Sequence, residues 1–320
     1  MENKNNVTEF ILLGLFKSQE VKIICFVIFL FCYFAIFFGN IIIFITIVGS
    51  HLIQQPMYYF LCHLSYMDLA YTSTVVPRLL RDLIAKQKYI SYNCCMTQLF
   101  TAHFLSGVEM FILVSMAFDR YVAICKPLHY MLIVNRQRCN MMLLMAWIVA
   151  FSHAFSQMFM VNRLPFCGPN QVDHYVCDVK ALLKLVCTDT RIPNILVIAN
   201  TGMVVLATFL ALVASYIVIL YNLRNHSSEA RRKALSTCAS HVMVVVLFFV
   251  PCIATYVPPP SASQNDKEFS MFYTVFAPML NPLIYTLRNT EMKNAMKKVW
   301  TMKKNDIQIK RILICFSKKN

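Results

Sequence analysis

The sequence predicts an all-α membrane protein, a bundle of seven helices that cross a bilayer. Hydrophobic residues fill 58% of the 320 positions and charged ones only 14%, with a mean hydropathy of +0.57, whereas soluble domains carry roughly 25% charge. The apolar residues gather into seven runs, at about 23–48, 57–80, 96–122, 139–161, 195–221, 236–258 and 269–287. Each is close to the roughly 20 helical residues that span a hydrocarbon core about 30 Å thick. The two ends also differ in kind. Asn6-Val7-Thr8 is a glycosylation acceptor, which places residues 1–22 outside the cell, whereas residues 288–320 carry ten Lys and Arg against only Glu291 and Asp306, as a cytoplasmic tail should. Opposite ends require an odd number of crossings.

Taken in order, the first run lies too late and is too long for a cleavable leader, and no small-residue cleavage site follows it, so it stays as a span. The second follows Pro56 and carries Asp68. The third carries Glu109 and closes in Asp119-Arg120-Tyr121 before a basic, proline-punctuated turn. Arg136 and Arg138 precede the fourth run, Arg224 follows the fifth, and Arg231-Arg232-Lys233 precedes the sixth, all on the inner side. Lys86 and Lys88 fall outside beside Arg78 and Arg81, and the first inner loop has no Lys or Arg, so the loops support the orientation less cleanly than the tail. The seventh run is broken by Asn281-Pro282, because proline removes an amide donor and clashes with the preceding turn.

The net charge of +15 sits largely in the inner loops and tail. Attraction to anionic lipid headgroups accounts for it, and nucleic acid is excluded as a partner. No repeat, Gly/Ser linker or low-complexity tract divides the chain, so residues 1–320 read as one domain. No HExxH, GxSxG or Gly-rich phosphate loop occurs, which excludes the common enzyme chemistries. A transporter or channel would show repeated halves with matching helix breaks or a continuous polar path, and neither is visible.

Several residues demand a chemical account. A guanidinium near the water boundary of a membrane helix either snorkels out or is held by a carboxylate, and Asp119 is the adjacent partner for Arg120. Asp68, Glu109 and Asn281 lie deep in their spans, where carboxylates are neutralised by protons or by a cation. Cys94, Cys95, Cys167, Cys177 and Cys187 cluster on the side read as extracellular, where disulfides form. A metal site using His174 and Cys177 competes, but the paired CxxC units of such sites are absent.

In sequence the chain resembles an olfactory receptor of the tetrapod type, among the rhodopsin-like G-protein-coupled receptors. Phe10-Ile11-Leu12-Leu13-Gly14-Leu15, Gly39-Asn40, Pro56-Met57-Tyr58-Tyr59-Phe60-Leu61 and Leu64-Ser65-Tyr66-Met67-Asp68 carry the likeness through the second span. MAFDRYVAICKPLHY at 116–130, Lys233 to His241 and Pro278-Met279-Leu280-Asn281-Pro282-Leu283-Ile284-Tyr285 carry it through the seventh. Phe118, Cys94 and Phe249 depart from the usual Tyr, Gly and Tyr.

The resemblance implies a short amphipathic helix after the seventh span and disulfides Cys95–Cys177 and Cys167–Cys187, with Cys94 as a competitor for the first. It implies a plasma-membrane receptor for a small, mainly hydrophobic odorant, coupled to a stimulatory olfactory-type G protein that raises cyclic AMP. The implied ligand lining is His103, Ser106, Gly107, Met203, Phe249, Cys252, Tyr256, Met271 and Thr274. Ala102 stands where aminergic receptors place an aspartate, so a cationic amine would lack its counter-ion in the third span, and the seventh span has no lysine for a retinal Schiff base. Asp119, Arg120, Tyr121, Tyr216, His241, Asn281, Pro282 and Tyr285 are the implied switch residues, with Tyr216 and Tyr285 swinging inward as the sixth span moves out. By the family fold Asp68 and Glu109 lie on neighbouring helices, and either a sodium ion held with the Asn281 amide and Ser65 or Ser115, or protonated carboxyls hydrogen-bonded to backbone or water, would satisfy them.

Overall fold

A computed structural model describes residues 7–16, 18–167, 170–224, 227–257 and 266–301 of the chain. Asn6 and the tail from 302 onward lie outside the described residues. Seven long helices follow one another: α1 (Gln19–Val48), α2 (Pro56–Ile84), α3 (Tyr92–Cys125), α4 (Arg136–Asn162), α5 (Arg191–Leu223), α6 (Ser228–Tyr256) and α7, which runs through Asp266–Met271, Phe272–Phe276 and Ala277–Arg288. Each begins before the apolar run that predicts it, since backbone hydrogen bonding continues past the hydrocarbon edge, while α1 ends level with its run and α6 ends at Tyr256, two residues short of the expected 258. Five of them, α1, α3, α4, α5 and α6, are long and apolar enough to cross a membrane on length and composition alone. Of the other two, α2 is diluted by His63, Asp68, Arg78, Arg81 and Asp82, and α7 by Asp266, Lys267 and Glu268 at its start and by Asn281 and its two prolines further on.

The helix starts follow from local chemistry. Pro56 occupies the first turn of α2, where its missing amide costs nothing. The Ser91 hydroxyl accepts from the Cys94 amide at 3.3 Å to cap α3, and the Asn135 side chain accepts from the Arg138 amide at 3.0 Å to cap α4. The helix α3 is central, packing on α2, α4, α5 and α6, while α1 packs on α2 and α7. A Cβ on Gly39 would stand 3.0 Å from the Pro282 ring, so the small residue lets α1 approach α7 at its proline.

After α7 the chain turns into the predicted short helix α8 (Thr290–Thr301). Its Met292 and Ala295 are buried, and the Tyr58 hydroxyl reaches across to Asn289 at 2.9 Å and Glu291 at 3.1 Å.

At the other end the sequence gives no warning of what forms. Residues Glu9–Leu12 make a strand, β1, placed between β2 (Tyr89–Ser91) and β3 (Gln171–Val172), antiparallel to the first and parallel to the second. Alternation puts Phe10 and Leu12 inside, both wholly buried, and Phe10 meets Phe166 edge-on at 5.5 Å and Tyr92 at 5.9 Å. Two disulfides staple the same end. Cys95 joins Cys177 and Cys167 joins Cys187, with Cα atoms 5.5 and 5.6 Å apart, and Cys94 is exposed and free. The first staple draws the α4–α5 loop down onto α3.

Candidate functional site

Beneath that loop lies a cavity of about 320 Å³ bounded by α3, α4, α5, α6, α7 and the loop residues Val176, Cys177 and Asp178. Of the lining expected from sequence, His103, Ser106, Gly107, Cys252, Tyr256 and Thr274 are on its wall. The remaining three stand elsewhere. Met203 is 57% exposed on the outer surface of α5, directly after a π-helical turn at Ile198–Gly202 that turns the following residues away from a straight helical register. Phe249 is fully buried, but Phe248, one position round the helix and 5.4 Å away, takes the wall. Met271 packs with Tyr71 and Val75 between α7 and α2, off the cavity.

The roof is fastened by hydrogen bonds as well as by the disulfide. The Tyr256 hydroxyl donates to Asp178 at 2.7 Å, the Cys177 amide to the Gln98 side chain at 3.1 Å, and the Lys180 ammonium to the Thr255 carbonyl. Asp178 also caps a single helical turn, Val179–Leu183, by accepting from the Lys180 amide at 2.9 Å. Burial alone would raise the Asp178 carboxyl, but His174, His103, the Tyr256 hydroxyl and the Lys180 amide together hold it below the usual carboxylate range. Burial lowers His174, whose ring nitrogen accepts from the Val176 amide at 3.2 Å. Burial pushes the neighbouring Tyr175 phenol up to about 12, and its hydroxyl bonds Ser270 at 2.7 Å and Thr274 at 3.3 Å.

Sequence reasoning overlooked one wall entirely. His153 and Ser156 on α4 and Asn200 and Thr201 on α5 line the cavity, with His153 to Asn200 at 3.2 Å and Asn200 to Ser156 at 2.7 Å. The readable signal was there: these polar side chains interrupt runs that are otherwise apolar. Opposite them, Met110, Val205, Phe248 and Cys252 are apolar.

Below the cavity the three deep polar groups meet. The Asn281 amide donates to both Asp68 oxygens at 3.0 and 3.3 Å. Glu109 is buried beside Asp68, close enough for the two carboxyls to share a proton, and apart from that contact neither of its oxygens, nor the Asn281 oxygen, has a hydrogen-bond partner. Unmatched acceptors facing a carboxylate suit a proton or a hard cation. Ser65 and Ser115 are buried, Ser115 donating to the Phe111 carbonyl at 2.9 Å. Among the described residues no group of three or more His, Cys, Asp and Glu could hold a metal ion.

At the far end Arg120 bonds Asp119 at 2.5 and 3.0 Å, and the Tyr130 hydroxyl from the following loop donates to the other Asp119 oxygen at 2.6 Å. Asp119 is wholly buried and the Arg120 side chain nearly so, at 17% exposure. Tyr216 on α5 shares a hydrogen bond with His241 on α6. Tyr121 packs beside Ile219, Leu223 and Cys238. Tyr285 is buried with its hydroxyl unpartnered, and Pro282 sits against Gly39.

Seven long helices around a lidded cavity, with an Asp-Arg pair at the opposite end, are the architecture of a G-protein-coupled receptor. Comparison with known proteins gives the family. The profile of the family described as "Olfactory receptor" matches residues 29–303. The chain is 54% identical to Olfactory receptor 4S2 of Homo sapiens over 94% of its length and 96% of that protein's. It is 52% identical to Olfactory receptor 4B13 of Mus musculus over 95% and 99%, and 50% identical to Olfactory receptor 4B1 of Homo sapiens over the same shares. The chain belongs to the olfactory receptor family and is a multi-pass membrane protein.

Proposed function

We propose that this receptor binds a small, uncharged, mainly hydrophobic odorant in the cavity and activates a stimulatory, olfactory-type G protein, raising cyclic AMP. The cavity carries this reading: it is concave, roofed by the α4–α5 loop, largely apolar and furnished with a few hydrogen-bonding groups, as small-molecule sites are. Among the described residues its lining holds no Lys or Arg, and the one carboxylate among them, Asp178, is already engaged by Tyr256 and the Lys180 amide. The disulfide end, with the glycosylation acceptor at Asn6, is extracellular in this reading. The Asp119-Arg120 end and the basic tail face the cytosol and its anionic lipid, and the receptor resides in the plasma membrane as one domain.

Activation is a population shift. A ligand that prefers the active packing moves the equilibrium by its difference in affinity and no more, and near-complete switching from a 1:99 resting ratio needs about 5.5 kcal/mol. Arg120 leaves Asp119 as α6 swings outward, and Tyr216 and Tyr285 move in, the Asn281-Pro282 joint bending to allow it. Asp68, Glu109 and the Asn281 oxygen would hold a sodium ion in the resting packing, neutralising two carboxylates that otherwise require protons.

The test is odorant-evoked cyclic AMP in cells supplied with the stimulatory G protein, using a chemically diverse panel. Cavity variant His103→Ala should change which odorants act. A panel response unaltered by both His103→Ala and Cys252→Trp at equal surface amounts would move the ligand elsewhere.

A further inference from the structure

The roof residues of the cavity, Val176, Cys177 and Asp178, are buried or half-buried, and so are the wall residues from α2, α3, α5, α6 and α7. Among the described residues that line it, only Val149, Ser152 and Ser156 are exposed, and all three are on α4. Ala150 and Ala154 mark the face of α4 that packs inward. Ser152 is two positions from Ala150, about 200° round a helix of 3.6 residues per turn, beside the membrane-facing Ile148 and Phe155. A cavity that reaches such a residue has passed round the side of the helix.

Two further observations place the opening. The helix α4 packs its backbone closely on α3, whereas its seam with α5 at this level is held by side-chain hydrogen bonds, the buried Gln157 amide donating to the Thr201 hydroxyl at 2.9 Å beside the His153–Asn200–Ser156 set. On the other side of α5, a Cβ on Gly202 would stand 2.8 Å from the Tyr256 carbonyl, so α5 is packed backbone-close against α6 there, while only side chains bridge it to α4. The π-helical turn at Ile198–Gly202, which contains Asn200 and Thr201, lies at this level. Ser156 and Ser152 stand about 9 and 15 Å below the end of α4 at Asn162, inside the apolar layer.

The mouth is polar where its surroundings are not. His153 bonds Asn200, Asn200 donates to Ser156, and Ser156 donates back to the His153 carbonyl at 2.7 Å, amid exposed Phe151, Phe155 and Phe159. A polar group crossing from lipid into an apolar cavity loses stability unless a partner meets it on the way. Here partners stand at the threshold.

We infer that ligands load this cavity sideways, from the bilayer leaflet at the disulfide end, through the gap between α4 and α5. The class it admits is uncharged, bilayer-soluble molecules bearing a hydrogen-bonding group, which exchanges with the His153–Asn200–Ser156 bonds at the mouth. This rests on the cavity being the ligand site, but its test needs no agonist and no signalling, so the two readings fail independently.

Cys252 on the far wall, on α6, is a native reporter. The full-length receptor in sealed vesicles is treated with N-ethylmaleimide, which is neutral and enters bilayers, or with a trimethylammonium methanethiosulfonate, which does not, and modification is read by peptide mass spectrometry. The maleimide should modify Cys252, while the charged reagent should modify exposed Cys94 and spare Cys252. Plugging the mouth with Ser152→Trp and Ser156→Trp should slow Cys252 modification at least about tenfold, whereas Val176→Trp in the roof should leave it unchanged. In the unaltered receptor, rates across a series of N-alkylmaleimides should follow their partitioning into lipid. That series keeps the test valid should the plugged variant not fold. Unmodified Cys252, equal access for the charged reagent, or slowing by the roof variant alone would each overturn the inference.

Discussion

The Asn281 amide holds both oxygens of Asp68, at 3.0 and 3.3 Å, and so ties α7 to α2 at the residue before the Pro282 break. The joint of α7 is thereby loaded by a buried carboxylate, whose own neutralisation sets how firmly it is held. With Glu109 beside that carboxylate and otherwise unpartnered, the identity of the neutralising species becomes measurable.

Sodium in place of choline at fixed ionic strength should raise the unfolding temperature of the receptor. An ion at roughly ten times its dissociation constant adds about 1.4 kcal/mol. Asp68→Asn should erase the difference. No difference in the unaltered receptor would leave protons as the neutralising species.

Tyr130→Phe removes one charge-assisted hydrogen bond from buried Asp119, a loss of about 1.5–3 kcal/mol to the resting arrangement. Agonist-free cyclic AMP should rise. Arg120→Ala should instead abolish the odorant response at equal surface amount, and a variant signalling normally would refute the switching role of the Asp119–Arg120 pair.

Opening the Cys95–Cys177 bridge frees a longer stretch than opening Cys167–Cys187, separations of 82 and 20 residues. By loop entropy the costs are about 4.5 and 3.3 kcal/mol. Cys177→Ser should therefore lose more surface receptor than Cys167→Ser by flow cytometry, and Cys94→Ser should lose none.

His174 makes the roof sensitive to acid. Its folded pKa is depressed by burial below the ordinary 6.5, with Lys267 adding repulsion against the opposing pull of Asp178, Asp266 and Asp173. The neutral ring accepts from the Val176 amide, so the stability it gives is present above the unfolded pKa and fades as pH falls below about 6.5. His174→Gln keeps an acceptor without a titration. Its unfolding temperature should fall less between neutral and mildly acidic pH than that of the unaltered receptor.

Tyr256→Phe deprives Asp178 of its hydroxyl donor, and the loss of about 1.5–3 kcal/mol should loosen the roof and raise odorant EC50 values by roughly tenfold or more. Met203→Ala, on the outward face of α5, should leave them unchanged.

What the sequence reveals here follows the physics of each feature. Spans are legible because a run of apolar side chains can serve few other purposes, and Asp119 beside Arg120 because adjacency alone brings them together. Met203, Phe249 and Met271 were misplaced because a face is assigned by counting residues round a helix, and neither the π-helical turn before Met203 nor the choice between Phe248 and Phe249 is written in periodicity. The Tyr256–Asp178 and Tyr130–Asp119 bonds were invisible for another reason. Each joins a helix to a loop whose path depends on tertiary contacts.

The middle strand of the small sheet is made before either of the strands that flank it. Ile11 pairs with Tyr89 on one side and with Gln171 on the other, so the lid over the cavity cannot close until half of the polypeptide has left the ribosome. Until then Phe10 and Leu12 have no shelter, and an epitope tag or trim that disturbs these few residues would unsettle the strands on both sides of them and the loop that follows.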